Sequence, residues 1–166
     1  MARALDPGEG GDVPSGPQAL QVGRVIARLA RQVEIALSGS DLSVSQYRLL
    51  MLLSKGSTAQ SALASGLTVS RPTVTAVVDG LVRRELVQRT HEEVGDRRRV
   101  VHVLTECGKR LLAEADAAVQ SRLAEIAGHL ESPSLVEEAL AGLRLWESAL
   151  DAHRSARAKS SEGGRS

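Results

Sequence analysis

The sequence lacks residues that several classes of protein require. It has no Phe, one Trp and one Tyr among 166 residues, so its core must be built from Leu, Val, Ile and Ala, a palette that favours packed helices. The single cysteine, Cys107, excludes an intrachain disulfide and a cysteine-rich zinc site and is typical of a reducing compartment. No stretch approaches the ~20 apolar residues of a membrane-spanning helix, and the first residues lack the apolar segment of a signal peptide. We therefore expect a soluble cytoplasmic protein with no membrane partner.

Motifs for catalysis and for metal binding are also missing. The sequence contains no phosphate-binding glycine loop, no Gly-x-Ser-x-Gly turn and no dinucleotide-binding glycine pattern after a strand. Its histidines are scattered, and the segment HEEVGD, which begins at His91, differs from the HExxH pattern of zinc enzymes. We therefore predict that the protein is not an enzyme and has no metal site and no cofactor.

Charge is balanced over the whole chain but uneven along it. Lys and Arg together number 21 and Asp and Glu 20, which argues against a protein that coats nucleic acid nonspecifically. Between positions 83 and 110, however, eight basic residues stand beside five acidic ones, a local excess of three positive charges. Part of this excess is the arginine run 97–99, which follows Gly95 and Asp96. This segment is therefore a candidate contact for a polyanion.

A chain of this length is expected to form one domain. The ends, 1–17 and 155–166, are poor in apolar residues and are predicted to be disordered tails. The unit between them, 18–154, is predicted to be mainly α-helical with a small β-hairpin. Apolar residues at helical spacing predict a long first helix over 18–38, and VSQYRLLMLLS predicts a short, enclosed second helix.

Two further short helices separated by a tight break are predicted in the middle of the chain. Thr58 can cap the first, and Gly66 suits its left-handed end. The second, over 70–84, begins with Ser70 as a cap and Pro72 in the first turn. Its apolar positions follow helical spacing, and the opposite face is small and polar: Arg71, Thr73, Thr75, Ala76, Asp79 and Arg83.

After this helix pair, LVQRTH and RVVHVL predict two strands joined through 92–98. Thr105 can cap a long helix whose apolar positions continue to Leu130, and Ser134 with Glu137 can cap another. The helical segments 18–38 and 105–154 carry apolar stripes that the small central unit does not cover. A second copy of the chain is the expected cover, because two-fold dimers are the commonest oligomers. A monomeric helical bundle is the alternative.

A helix, a break, a second helix and a hairpin with an arginine tip, over 42–104, form the order of a winged helix-turn-helix. The second helix of such a unit lies in the major groove of DNA, about 12 Å wide. There Arg71 can reach a guanine edge or a phosphate, and Thr73 and Thr75 can contact a phosphate or a thymine methyl group. An arginine of the 90–99 wing, best Arg98, suits a narrow minor groove, and Asp96 is expected to hold the shape of the tip.

The segments LSVSQYRLLMLLS, ALASGLTVSRPTVTAVVDGLVRRELVQRT and GDRRRVVHVLTECGKRLL resemble the MarR family of bacterial transcriptional regulators over about 20–150. The family's wing motif, Asp-x-Arg followed by a strand and Leu-Thr-x-x-Gly, matches Asp96, Arg98, Leu104, Thr105 and Gly108. The resemblance implies a homodimer with intertwined terminal helices, a palindromic operator on double-stranded DNA, and repression relieved by a small ligand or by oxidation.

By position, the resemblance assigns DNA contacts to one helix segment and to the wing-tip arginine: Ser70, Arg71, Pro72, Thr73 and Thr75, with Arg98. Arg97 and Arg99, which flank Arg98, are predicted DNA contacts as well. The chain departs from the family pattern at Glu85, where glycine is usual, and at Ala76, where a polar residue is common. Ala76 removes one base contact that a polar residue would make. Glu85 raises the question of how the second helix ends.

Two other functions remain open at this stage. One is a dimeric interaction protein that keeps the winged helix but has lost specific DNA binding. The other is a thiol-based redox regulator that uses Cys107, although a small, half-buried side chain without a redox role is the favoured interpretation of this residue. The operator, the regulated genes and the small-molecule effector are not encoded in any pattern that we recognise.

Overall fold

The computed structural model of the chain describes residues 17–56, 58–67, 70–94 and 97–163. The elements in these ranges are α1 (Pro17–Leu37), α2 (Val44–Ser54), β1 (Thr58–Ala59), α3 (Gln60–Leu67), α4 (Arg71–Arg83), β2 (Val87–Val94), β3 (Arg97–Leu104), α5 (Glu106–Ala127) and α6 (Pro133–Gly163). The mainly α-helical fold with a small hairpin is therefore confirmed. No helix in these ranges is long and apolar enough to cross a membrane.

The core lies where α2, α3, α4 and β3 converge. Helix α2 begins with a capping box, in which Ser43 Oγ accepts from the backbone of Gln46 at 3.2 Å and Gln46 Oε1 accepts from the backbone of Ser43 at 2.9 Å. Apart from His102, the largest fully buried side chains are aliphatic, as the lack of aromatic residues required: Leu37, Leu49, Leu50, Leu63, Leu81, Val74, Val78 and Val87. This core holds α3 and α4 as one unit against the sheet.

The sheet has three strands in the order β1-β3-β2, and both pairings are antiparallel. The prediction that Thr58 caps α3 is wrong, because Thr58 lies in β1 opposite His102 and α3 begins only at Gln60. The short strand β1 covers an edge of β3 that a two-stranded hairpin would leave open. The hairpin is also longer than predicted, since pairing continues to Val94 opposite Arg97. Its register sets Glu92 opposite Arg99, and such opposite-charge pairs favour continued pairing.

Several predicted helix ends differ from the structure. Gly66 lies inside α3 and not at a left-handed end, and a Cβ there would stand 3.0 Å from Leu52 Cδ1, so its small size serves close packing on α2. Helix α5 ends at Ala127, and Ser132 instead of Ser134 caps α6 by accepting from the Leu135 backbone at 3.4 Å. Helix α6 continues to Gly163 through a segment predicted to be a tail, which is rich in the good helix formers Ala, Arg and Lys. Positions 1–16 and 164–166 lie outside the described residues.

Helices α1 and α6 leave large apolar side chains in contact with solvent in the single chain. Val22, Val25 and Ile26 of α1 are about half exposed, and Leu145 and Trp146 of α6 are 73% and 60% exposed. Helix α1 packs along α5, where the Arg122 guanidinium donates to Gln32 Oε1 at 3.0 and 2.8 Å. The apolar faces that remain are therefore those predicted to meet a second chain.

A close contact joins α5 to the chain that leaves α4. Thr105 caps α5 by accepting from the Gly108 backbone at 3.0 Å, and its hydroxyl donates to the Glu85 carbonyl at 2.7 Å. Its backbone N–H donates to the Leu86 carbonyl at 3.1 Å. A Cβ at Gly108 would lie only 2.0 Å from that same carbonyl oxygen, so only glycine fits there.

Replacing Gly108 with Ala is expected to lower the free energy of unfolding by about 1–3 kcal/mol, because the added methyl group must push α5 away from Leu86. Urea unfolding followed by circular dichroism measures the change. Gly39→Ala is the matched control, since a Cβ at Gly39 has no neighbour within 4 Å. Equal stability of the two variants would show that the close contact at Gly108 does not constrain the fold.

Candidate nucleic-acid interface

Helix α4 begins as the sequence predicted. Ser70 has an extended backbone, with φ −66° and ψ 153°, and its hydroxyl accepts from the Thr73 backbone at 3.4 Å. Pro72 lies in the first turn, where its missing N–H leaves no hydrogen bond unmade. The helix is therefore fixed at its N-terminus by local interactions alone.

The predicted contact residues lie on the outer side of this first turn. Ser70, Arg71, Pro72 and Thr73 are exposed, while Thr75 is half-buried and donates its hydroxyl to the Arg71 carbonyl at 3.0 Å. The Ser70 and Thr73 hydroxyl oxygens lie 2.8 Å apart. Val74, Val78 and Leu81 are buried on the opposite face. Anchoring by these three residues leaves Arg71 and its neighbours facing solvent as a group.

The hairpin formed by β2 and β3 is the candidate wing. Arg99 is exposed on β3. The backbones of Arg97 and Arg98 belong to β3, so these residues lie in a strand and not in the connecting turn that the sequence predicted. The side chains of Arg97 and Arg98, and Asp96 as a whole, lie outside the described residues, so their predicted roles stay predictions.

An ion pair links the helix to the hairpin. Asp79 of α4 accepts from the Arg89 guanidinium of β2, and both side chains are partly exposed. The sequence predicts Asp79 on the polar face of α4 but not its partner, because a pattern in one helix does not show which strand packs beside it. A single carboxylate on a face whose other charged residues are Arg71 and Arg83 is the signal for a basic neighbour. Its charge is here matched by Arg89, which reduces its repulsion of an approaching phosphate.

Helix α4 ends in a left-handed residue that is not glycine. Glu85 has φ 57°, its backbone N–H donates to the Val82 carbonyl at 3.0 Å, and the Leu86 N–H donates to the Leu81 carbonyl at 3.0 Å. These two bonds form a Schellman motif, which usually has glycine at the left-handed position. The helix therefore ends in the usual way despite Glu85, at the cost of a crowded backbone.

The remaining candidate groups do not assemble into a reactive site. Cys107 is exposed, not half-buried as favoured from the sequence, because it lies on the outward side of the first turn of α5 while Gly108 takes the buried position. His91 is exposed on β2. Within the described ranges, no cluster of three or more His, Cys, Asp or Glu side chains could hold a metal ion.

A cavity of about 450 Å³ lies between the winged unit and α5. Its wall consists of Leu53 and Ser54 at the end of α2, Gly56 after it, Val103 and Leu104 of β3, and Lys109, Leu112, Ala113 and Asp116 of α5. The buried Tyr47 donates its hydroxyl to Asp116 Oδ1 at 2.6 Å. Burial, followed by this contact with Asp116, raises the pKa of Tyr47, so the phenol stays a donor. The cavity combines an apolar wall with one cation and one anion, as small-molecule sites often do.

Part of the chain is similar in sequence to known proteins. Residues 42–100 match the model of the MarR family. The chain is 35% identical over 100 residues to YhbI of Bacillus subtilis, described as an uncharacterized HTH-type transcriptional regulator, and this match spans 59% of the chain and 64% of that relative.

Two solved structures share the fold. A MarR family transcriptional regulator from Rhodococcus sp. RHA1 superposes with a TM-score of 0.61 at 25% identity, over 76% of this chain and 89% of that one. NadR, solved in complex with 4-hydroxyphenylacetate, superposes with a TM-score of 0.58 at 26% identity, over 80% of this chain and 96% of that one.

Replacing Glu85 with Gly is expected to raise the free energy of unfolding by about 1 kcal/mol, because glycine adopts the left-handed conformation without the steric cost of a side chain. Arg83→Gly removes another exposed charged side chain at a right-handed helical position and should lower stability by a similar amount. Urea titrations of both variants measure these two opposite changes in the free energy of unfolding. A loss of stability in Glu85→Gly would mean that interactions of the Glu85 side chain stabilise the fold by more than its left-handed backbone destabilises it.

Proposed function

We propose that this chain, whose residues 42–100 match the model of the MarR family, is a member of that family and a transcriptional regulator that binds double-stranded DNA as a homodimer. MarR regulators bind DNA and are not enzymes, which agrees with the absence of catalytic motifs in the sequence. The observation that carries the proposal is the exposed first turn of α4, which presents Arg71 and Thr73 beside a hairpin rich in arginine.

In this proposal α4 enters the major groove and the hairpin lies over the adjacent minor groove. Arg71 at the start of α4 contacts a guanine edge or a phosphate, and the Ser70 and Thr73 hydroxyls donate to phosphates. Pro72 packs against the sugar-phosphate backbone, and Thr75 contacts a thymine methyl group. Arg97, Arg98 and Arg99 supply the positive charge of the wing, with Asp96 holding its tip. The ion pair between Asp79 and Arg89 sets the angle between helix and hairpin.

The terminal helices supply the dimer interface. Val22, Val25 and Ile26 of α1 and Leu145 and Trp146 of α6 are large apolar side chains that the single chain leaves exposed. A two-fold interface buries the same surface on both chains. It also presents two α4 helices related by two-fold symmetry, and a palindromic operator matches that symmetry. Because a dimer seated on a promoter blocks transcription, we propose repression as its mode of action.

A small molecule that fills the cavity between β3 and α5 is the proposed effector. The cavity joins the dimerisation helix α5 to the DNA-binding unit, so an occupant that separates them changes the spacing of the two α4 helices. Lys109 offers a cation for a carboxylate, and the apolar wall suits an aromatic ring. NadR, with the same fold, binds 4-hydroxyphenylacetate, an aromatic carboxylate.

Arg71→Ala is expected to weaken binding to an operator found by random-sequence selection by about 1–3 kcal/mol if Arg71 reads a base. Fluorescence anisotropy at about 50 and 200 mM salt gives the affinity and its salt dependence, and a phosphate contact would instead lower the salt slope by about one charge. The saturation point gives the number of chains per duplex, with two expected. Arg144→Ala on α6 is the charge-matched control.

Selection of no sequence, together with no salt-dependent binding, would contradict the proposal. It would favour a dimeric module that acts through proteins. If Arg71→Ala bound the operator as tightly as the natural chain, the first turn of α4 would not be part of the DNA interface.

For the effector, 4-hydroxyphenylacetate serves as the probe. It is expected to lower operator affinity several-fold in the natural chain but not in Ala113→Phe, because the added ring occupies the cavity. Ala117→Phe is the control, since Ala117 is exposed one turn further along α5 and does not line the cavity. If the probe still lowered the operator affinity of Ala113→Phe, the effector would bind outside this cavity.

A further inference from the structure

His102 occupies a position where a polar side chain is costly. It lies in the middle strand of the sheet, opposite Thr58 of β1 and Arg89 of β2, and only 1% of its surface is exposed. Its Nδ1 lies 3.4 Å from the Thr58 carbonyl oxygen, so a proton on Nδ1 is the one that this contact accommodates. Nε2 is buried and has no hydrogen-bond partner among the described residues.

The neutral imidazole suits this environment and the charged one does not. A second proton would sit on Nε2, where no described acceptor is available, and would bring a charge into the core. Burial lowers the pKa of His102, and the charge of Arg89 lowers it further, while the Thr58 carbonyl and Asp79 of α4 partly offset these effects. Helix α3, which also packs on β3, carries no titratable residue.

The lowered pKa of His102 determines how the folding stability depends on pH. Because the folded chain holds the proton less tightly than the unfolded chain, whose histidine titrates near pH 6.5, the unfolded state binds more protons below that pH. Folding stability is therefore retained above about pH 6.5 and is lost as the pH falls towards the lowered pKa of the folded state.

We propose that His102 is a pH-sensitive switch in the DNA-binding unit: a proton from solvent on Nε2 loosens the three-stranded sheet and releases DNA. The sheet transmits the change because each neighbour of β3 leads to a functional element. β1 precedes α3 directly, and β2 carries Arg89, which pairs with Asp79 of α4. β3 itself is followed directly by Thr105, whose hydroxyl donates to the Glu85 carbonyl at the end of α4. The part of the proposal that concerns DNA rests on the proposed function.

Operator affinity at about pH 7.5 and about pH 5.5, at constant ionic strength, tests the switch. Acidification makes the net charge of a protein more positive and by itself should strengthen binding to a polyanion. The natural chain is expected instead to lose affinity several-fold, and His102→Leu and His102→Gln are expected to keep or gain it. His129→Gln, at an exposed histidine outside the winged unit, should behave as the natural chain does.

Amide hydrogen exchange of β3 in the natural chain is a second measurement that needs neither DNA nor a variant. Protection of these amides should fall between the two pH values, whereas protection of α5 should change less. If no DNA binds at about pH 7.5, the proposed function fails, and loss of β3 protection still supports the switch. Unchanged β3 protection, or a loss of affinity that persists in both His102 variants, would overturn it.

Discussion

The contact between the start of α5 and the end of α4 is the constraint on which the other parts depend. Thr105 caps α5 and at the same time bonds the Glu85 and Leu86 carbonyls, and Gly108 lets the two backbones meet. Through this contact the helix that is proposed to dimerise is attached to the helix that is proposed to read DNA. Any displacement of α5 is therefore transmitted to α4, because close-packed interiors shift between discrete arrangements and do not stretch.

The same contact explains how the chain tolerates its departure from the family pattern. Glu85 adopts a left-handed backbone that glycine usually takes, but its carbonyl is held by Thr105 and the following residue, Leu86, is buried. Such packing can offset a local conformational cost of about 1–2 kcal/mol. The way in which α4 ends is thus decided by its surroundings and not by the intrinsic preference of one residue.

Two features lie between the predicted DNA contacts and the helices that are proposed to dimerise. The cavity beside Lys109 and Asp116 lies on one side of β3, and His102 is buried within the same strand. A ligand in the cavity and a proton on His102 would both act on the geometry of the sheet. Coupling of this kind requires only that each event stabilise one arrangement of the sheet over another.

The sequence by itself determined the helices, the hairpin, the cap at Ser70 and the exposed character of the first turn of α4, because capping, proline and periodicity act within a few residues. The resemblance to a known family rested on the same local motifs. Strand β1, the Asp79–Arg89 pair, the burial of His102 and the close approach at Gly108 were decided by tertiary structure alone. Each depends on residues distant in sequence that meet only after the core has formed, and no local pattern records which strand or helix will be the neighbour.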